Sequence, residues 1–104
     1  MFVVMNRISV SPAFAEAFEE RFRHRAAEVD KMPGFLRNLV LRPASPDDPY
    51  VVMTMWDTQQ AFEAWTQSDA FRKGHARSGT LPVDAFRGPS RLERFEAFVD
   101  SAGA

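Results

Sequence analysis

Few side chains in this chain could ligate a metal or move a proton. It has no cysteine and only two histidines, His24 and His75. His75 closes the stretch Trp56–His75, WDTQQAFEAWTQSDAFRKGH, which also carries both tryptophans. A lone imidazole cannot build a structural zinc site, which takes four ligands. Without thiolates, any transition metal would depend on histidine or carboxylate. The chain has no P-loop and no dinucleotide fingerprint, and no serine has an evident His/Asp pair for a hydrolase triad. One role does need only a single imidazole. Haem takes one proximal side chain, commonly His, and otherwise asks for a flat apolar slot. The residues alone leave three readings of His75 open: a haem ligand, a contact for another flat aromatic molecule, or a structural or solvated histidine.

Two further polar residues interrupt apolar patterns. Residues 2–10 alternate with period two, the signature of a strand. Phe2, Val4, Ile8 and Val10 share one face, and Val3, Met5, Arg7 and Ser9 share the other. Asn6 falls in the middle of the apolar face, where an unpaired amide costs a few kcal/mol. It is either bonded to neighbouring backbone or kept for function. Arg25 interrupts the apolar helical stripe Phe14, Phe18, Phe22, Val29, Met32. Its guanidinium either snorkels to solvent or meets an anion. His24 points off the stripe and reads as solvated, and Glu16, Glu19, Glu20 and Arg23 read as an exposed face.

The elements that must position these residues follow from local signals. Ser11-Pro12 marks a helix start, with Ser as cap and Pro in the first turn. The helix is predicted to run to Lys31 or Met32, where Pro33-Gly34 ends it. Phe35–Arg42 and Tyr50–Trp56 read as strands joined by the Pro/Asp loop 43–49, an antiparallel hairpin. Asp57 with Gln60 forms a capping-box pattern, placing a second helix from Asp57 to about Gln67. Ser68-Asp69 offers a second cap, with a break before a short helical piece over 70–76. Residues 77–90 are rich in Gly, Pro and Ser, a loop that either covers a pocket or simply connects. Arg91–Val99 is a final strand. Residues 1–100 read as one domain and 101–104 as a flexible tail.

The order β-α-β-β-α-β is the ferredoxin-like arrangement of an α+β fold, with two helices on one face of a four-stranded antiparallel sheet. The second face also needs cover. Leu36, Val40, Val51, Met53 and Met55 could make it apolar, and a back-to-back homodimer, a dimeric α+β barrel, is the economical solution. Apolar residues are 45% of the 104, ten of them Phe, and the formal net charge is −1. That balance gives no basic footprint for nucleic acid. No run is long enough to span a membrane, and the N-terminus is too short and polar for a signal peptide. The expectation is a cytoplasmic protein.

The phrases NRISV, PGFL and VVMTMWDTQQAFEAWTQSDAFRKGH resemble the antibiotic-biosynthesis-monooxygenase superfamily over residues 2–99. Within it, the chain most resembles the IsdG/MhuD-like haem-degrading monooxygenases. RFRHRAAEV, LRP and AFEAW are similar to the actinobacterial branch, and the ten-residue step from Trp65 to His75 is similar to the staphylococcal one. The family site of Asn, Trp and His maps onto Asn6, Trp65 and His75. The resemblance implies His75 as the proximal ligand of haem iron and Asn6 reaching the distal side. It implies Trp65 pressed against the porphyrin, Phe22 lining the slot and Arg25 meeting a propionate. Haem would be both cofactor and substrate. The ring would be opened by O2 with electrons from an external donor, a reductase or small reductant, and iron would be released. Trp56 reads as packing.

Two other readings remain. One is a cofactor-independent monooxygenase of a quinol-like polycyclic aromatic, with His75 in proton transfer. The other is a dimeric module that binds haem or another ligand without turnover.

Overall fold

The computed structural model describes residues 1–23, 28–69, 71–72 and 81–102. Four strands, β1 (Phe2–Ile8), β2 (Phe35–Leu41), β3 (Tyr50–Trp56) and β4 (Arg91–Glu96), form one antiparallel sheet in the order β2-β3-β1-β4. The helices are α1 (Ala15–Arg23) and α2 (Gln59–Thr66). This is the ferredoxin-like arrangement expected from the element order.

Register fixes which side chains share a face. Phe2, Val4, Asn6 and Ile8 of β1 stand opposite Trp56, Thr54, Val52 and Tyr50 of β3. This face carries the core, which falls into two clusters. At one end α2 docks, and Phe2, Val4, Trp56, Phe62 and Trp65 are buried together. Trp56 has no exposed surface, and its indole N–H donates to Thr54 Oγ1 at 3.1 Å. It packs edge-on between Phe35 and Phe62, the packing role expected of it. At the other end α1 docks, and Val10, Phe18 and Tyr50 are buried with Phe14 and Phe22 against them. Burial of each such aromatic contributes roughly 2–3 kcal/mol.

Several boundaries differ from the expected ones. Ser11 does not cap the first helix. Its hydroxyl donates to the Asp84 carbonyl at 2.9 Å, and the chain enters through a 3₁₀ turn at Pro12–Phe14. The long helix predicted to Lys31 is α-helical only over Ala15–Arg23 among the described residues, and Glu28–Lys31 is a 3₁₀ turn. Thr58, not Asp57, caps α2, accepting from Ala61 N at 3.1 Å. Asp57 is still in the connection, its N–H bonded to the Gly34 carbonyl at 2.9 Å. The second cap is as read from sequence: Ser68 Oγ accepts from Phe71 N at 3.1 Å, with helical residues following a break at Gln67.

Gly34 fastens the turn before β2 to α2. Its φ is +82°, and a Cβ there would lie 2.4 Å from Asp57 Oδ1 and 2.6 Å from Ala61 Cβ. Only glycine meets both demands.

β4 ends at Glu96 rather than Val99, leaving Phe98 and Val99 exposed. The outer sheet face also needs one correction. Val40 pairs with Val52 and so lies on the helix side, whereas Leu39 and Leu41 share the outer face with Val51, Met53 and Met55. Leu36 sits at a register shift and is exposed.

The described part of loop 77–90 is fastened down. Ser11 N donates to the Ala85 carbonyl at 2.7 Å and Arg87 N to the Ser9 carbonyl at 2.9 Å. Ala85 is completely buried, and Leu81 and Phe86 pack on the α1 cluster.

Candidate active site

Asn6 occupies the gap between the two clusters. Val4 on one side belongs to the α2 cluster, and Ile8 on the other packs on the α1 cluster. Four residue steps along the strand separate them, about 13 Å. Asn6 faces Val52 on β3 and Leu92 on β4. Leu92 is 57% exposed, and Val40, one strand beyond Val52, is also exposed. The floor around the amide is thus apolar and partly uncovered. Asn6 Oδ1 itself is buried and accepts no hydrogen bond among the described residues. An orphaned buried acceptor costs about 1–3 kcal/mol. The reading of Asn6 as an amide satisfied by neighbouring backbone therefore fails for its oxygen.

Trp65 and Phe22 stand on the two sides of that gap. Trp65 lies in the α2 cluster at 9% exposure, with Phe71 edge-on at 5.5 Å. Ser68, two residues past the end of α2, donates to the Trp65 carbonyl at 2.6 Å and turns the chain into the next helical piece. Phe22 packs on the α1 cluster, 5.0 Å from the Phe18 ring. The structure therefore holds Asn6, Trp65 and Phe22 on one side of the sheet, the first between the clusters to which the others belong. His75 and Arg25, with His24 and Gly74, lie outside the described residues.

The donor set suits a flat apolar ligand with a polar centre. A porphyrin fits such a site, since the aromatic clusters flank its floor and the unpartnered amide oxygen can accept from a polar group above it.

One network was not legible in advance. Glu19 is not a solvated face residue. It accepts from Arg42 Nε at 2.8 Å, from Tyr50 Oη at 2.5 Å and from Arg23 at 3.2 Å. Arg42, then Tyr50, holds its carboxyl well below the ordinary 4.5, at about 2. Burial, then the Glu19 carboxylate, pushes the Tyr50 phenol up. These bonds tie α1 to the β2–β3 hairpin and offer no proton near neutral pH, so the role is structural. The spacing Glu19–Arg23 was visible in the sequence, but the partners from residues 42 and 50 were not. A separate surface depression beside Pro33, Gly34, Asp57 and Thr58 shares no residue with Asn6, Trp65 or Phe22.

Known proteins resemble this chain in sequence and in fold. The model of the family described as antibiotic biosynthesis monooxygenase matches residues 1–77. A haem oxygenase (mycobilin-producing) of Mycobacterium tuberculosis is 39% identical over 101 residues, 97% of this chain and 92% of that protein. The solved structure of the haem degrader MhuD from Mycobacterium tuberculosis, with two haems bound in its active site, superposes with a TM-score of 0.76 at 34% identity. It covers 96% of this chain and 98% of that one. A mutant of SnoaB, a cofactor-independent oxygenase from Streptomyces nogalater, has a TM-score of 0.75 at 27% identity, over 98% and 97% of the two chains. On the family match and the near full-length likeness to the mycobacterial relative, the chain belongs to the antibiotic biosynthesis monooxygenase family.

Proposed function

We propose that this protein is a haem-degrading monooxygenase. It binds haem over Asn6 between the two aromatic clusters, opens the ring with O2 and external electrons, and releases iron. The observation that carries the reading is the unpartnered, buried Asn6 oxygen on an apolar sheet face. In a chain with haem oxygenases as relatives, that cost is explained by a bound molecule that uses the amide.

Asn6, Trp65 and Phe22 each have a role that their setting supports. Asn6 presents an amide, acceptor and donor together, to polar groups at the centre of the bound ligand. Trp65 is locked by the core and by Phe71, so it can resist the push of a ligand pressed against it. Phe22 gives the opposite side an apolar edge. His75 ligates the iron and Arg25 meets a propionate, by the family pattern. When bound, haem supplies the iron at which oxygen is activated. The clusters flank the ring, and the cross-strand row Val40, Val52, Asn6 and Leu92 leaves the amide as its one polar group.

The outer sheet face supports a homodimer. Val3, Met5, Leu39, Leu41, Val51, Met53, Met55 and Phe95 lie there by register, all half-buried or exposed in the protomer. A contiguous apolar face of that kind calls for a partner, and a second copy closes the two sheets into a barrel.

Haemin titration tests the function. The expected result is a Soret band that forms with the protein and is lost in His75→Ala. No band with the unmodified protein would instead favour a cofactor-independent oxygenase of the SnoaB kind. Ascorbate under air then separates turnover from carriage, because a carrier keeps its band.

A further inference from the structure

Phe22 stands in the last turn of α1, half-buried against the cluster of Val10, Phe18 and Tyr50. Two routes connect it to a single anchor. Glu19 lies three residues earlier, on the same side of the helix, and its carboxylate is the anchor. Its two oxygens take a fork from Arg42, Nε at 2.8 Å on one and Nη2 on the other. Tyr50 Oη adds a bond at 2.5 Å and Arg23 a fourth at 3.2 Å. Arg42 directly follows β2 and Tyr50 opens β3, so both ends of the hairpin loop grip α1 at one point. The second route runs through rings. Tyr50 lies 4.8 Å from Phe18, and Phe18 lies 5.0 Å from Phe22.

Ring packing alone leaves a helix some freedom, since packed helices shift by about 1–2 Å. A fork of charge-assisted hydrogen bonds is directional and removes that freedom. Only 17% of the Glu19 side chain is exposed, so water competes weakly for it. The difference matters at the wall of a site for a flat ligand. A gap of about 0.5–1 Å between wall and ring forfeits about a quarter to a half of their dispersion attraction. We propose that Glu19 and Arg42 are positioning residues of the haem site, holding the last turn of α1 so that the Phe22 ring meets the porphyrin at contact distance. This rests on the haem reading above and deepens it, because it names what sets the width of the site. Neither side chain reacts. Tyr50 supports the fork twice, through its hydroxyl on Glu19 and its ring on Phe18.

Haemin affinity tests this apart from turnover. It is read from quenching of tryptophan fluorescence at room temperature, where circular dichroism shows each variant folded. Glu19→Gln is nearly isosteric and takes the charge out of the fork. It should weaken haemin binding about tenfold. Loss of a negative charge would by itself favour an anionic ring, so weakening reports geometry rather than charge. Arg42→Lys keeps the charge and loses the fork, and should weaken binding by a similar factor. In a Phe22→Ala background both losses should shrink below about twofold, because the wall that they position is gone. Unchanged affinity in Glu19→Gln, with a lowered Tm, would show that the network only stabilises, and would overturn the proposal. An undiminished loss in the Phe22→Ala background would overturn it too. Should Glu19→Gln fold poorly, Tyr50→Phe carries the same comparison, since it keeps the ring on Phe18 and drops only the hydroxyl. Its expected loss is smaller, about threefold. An unmodified chain that binds no haemin would refute the haem reading itself, and the positioning role with it.

Discussion

At Asn6 a strand that otherwise buries hydrocarbon buries an amide oxygen without a donor. Asn6→Leu has nearly the same shape and removes the orphan. The ligand-free variant should therefore be more stable by about 1–3 kcal/mol, measured by urea unfolding. Haemin should still bind, while its breakdown should slow sharply. Loss of stability would mean that the amide is structural after all. Glu19 makes the opposite kind of statement. Its pKa falls from 4.5 to about 2 on folding through Arg42 and Tyr50. Its contribution is thus fully present above about pH 4.5 and is lost as pH falls towards 2. Glu19→Gln should lower Tm by the full amount at pH 7 and flatten the acid side of the Tm–pH curve between those values, the loss shrinking as pH falls towards 2. The sequence made Asn6 conspicuous because it broke a period-two pattern. Glu19 was hidden because a carboxylate among charges looks solvated until strand ends from elsewhere arrive beside it.

Among the elements, the strands and the two helices were legible from periodicity, and their ends were not. Caps are decided by competition between neighbours. Asp57 and Thr58 both could cap α2, and Thr58 does so while the Asp57 N–H is taken by Gly34. Ser11 lost its cap role because residues 84 and 85 approach it, a long-range contact no local pattern encodes. Gly34 is the position where these elements tolerate least change. Gly34→Ala should cost about 2 kcal/mol or more, from left-handed strain and from overlap with Asp57 and Ala61. For a domain of this size that is a fall in Tm of roughly 8 °C or more by calorimetry. An unchanged Tm would show that the turn can relax without disturbing α2. Thr58→Ala should cost only about 1 kcal/mol, since one cap bond is lost.

Across the whole molecule, the sheet has two faces with different tasks. The helix face builds a core in two halves and leaves Asn6 between them. The outer face is apolar apart from a few charges and suits a second copy. Both tasks follow from strand alternation, which is why the ferredoxin-like order was readable at once. The side of Val40 was not, because a register shift near Leu36 reverses the count along β2. On the proposed function, haem binds over Asn6 and is destroyed there. The most direct test is one turnover of a stoichiometric haemin–protein complex with ascorbate in air, followed by absorbance with an iron(II) chelator present. The account predicts decay of the Soret band with release of about one iron per haem. A band that persists, with no iron reaching the chelator, would contradict it.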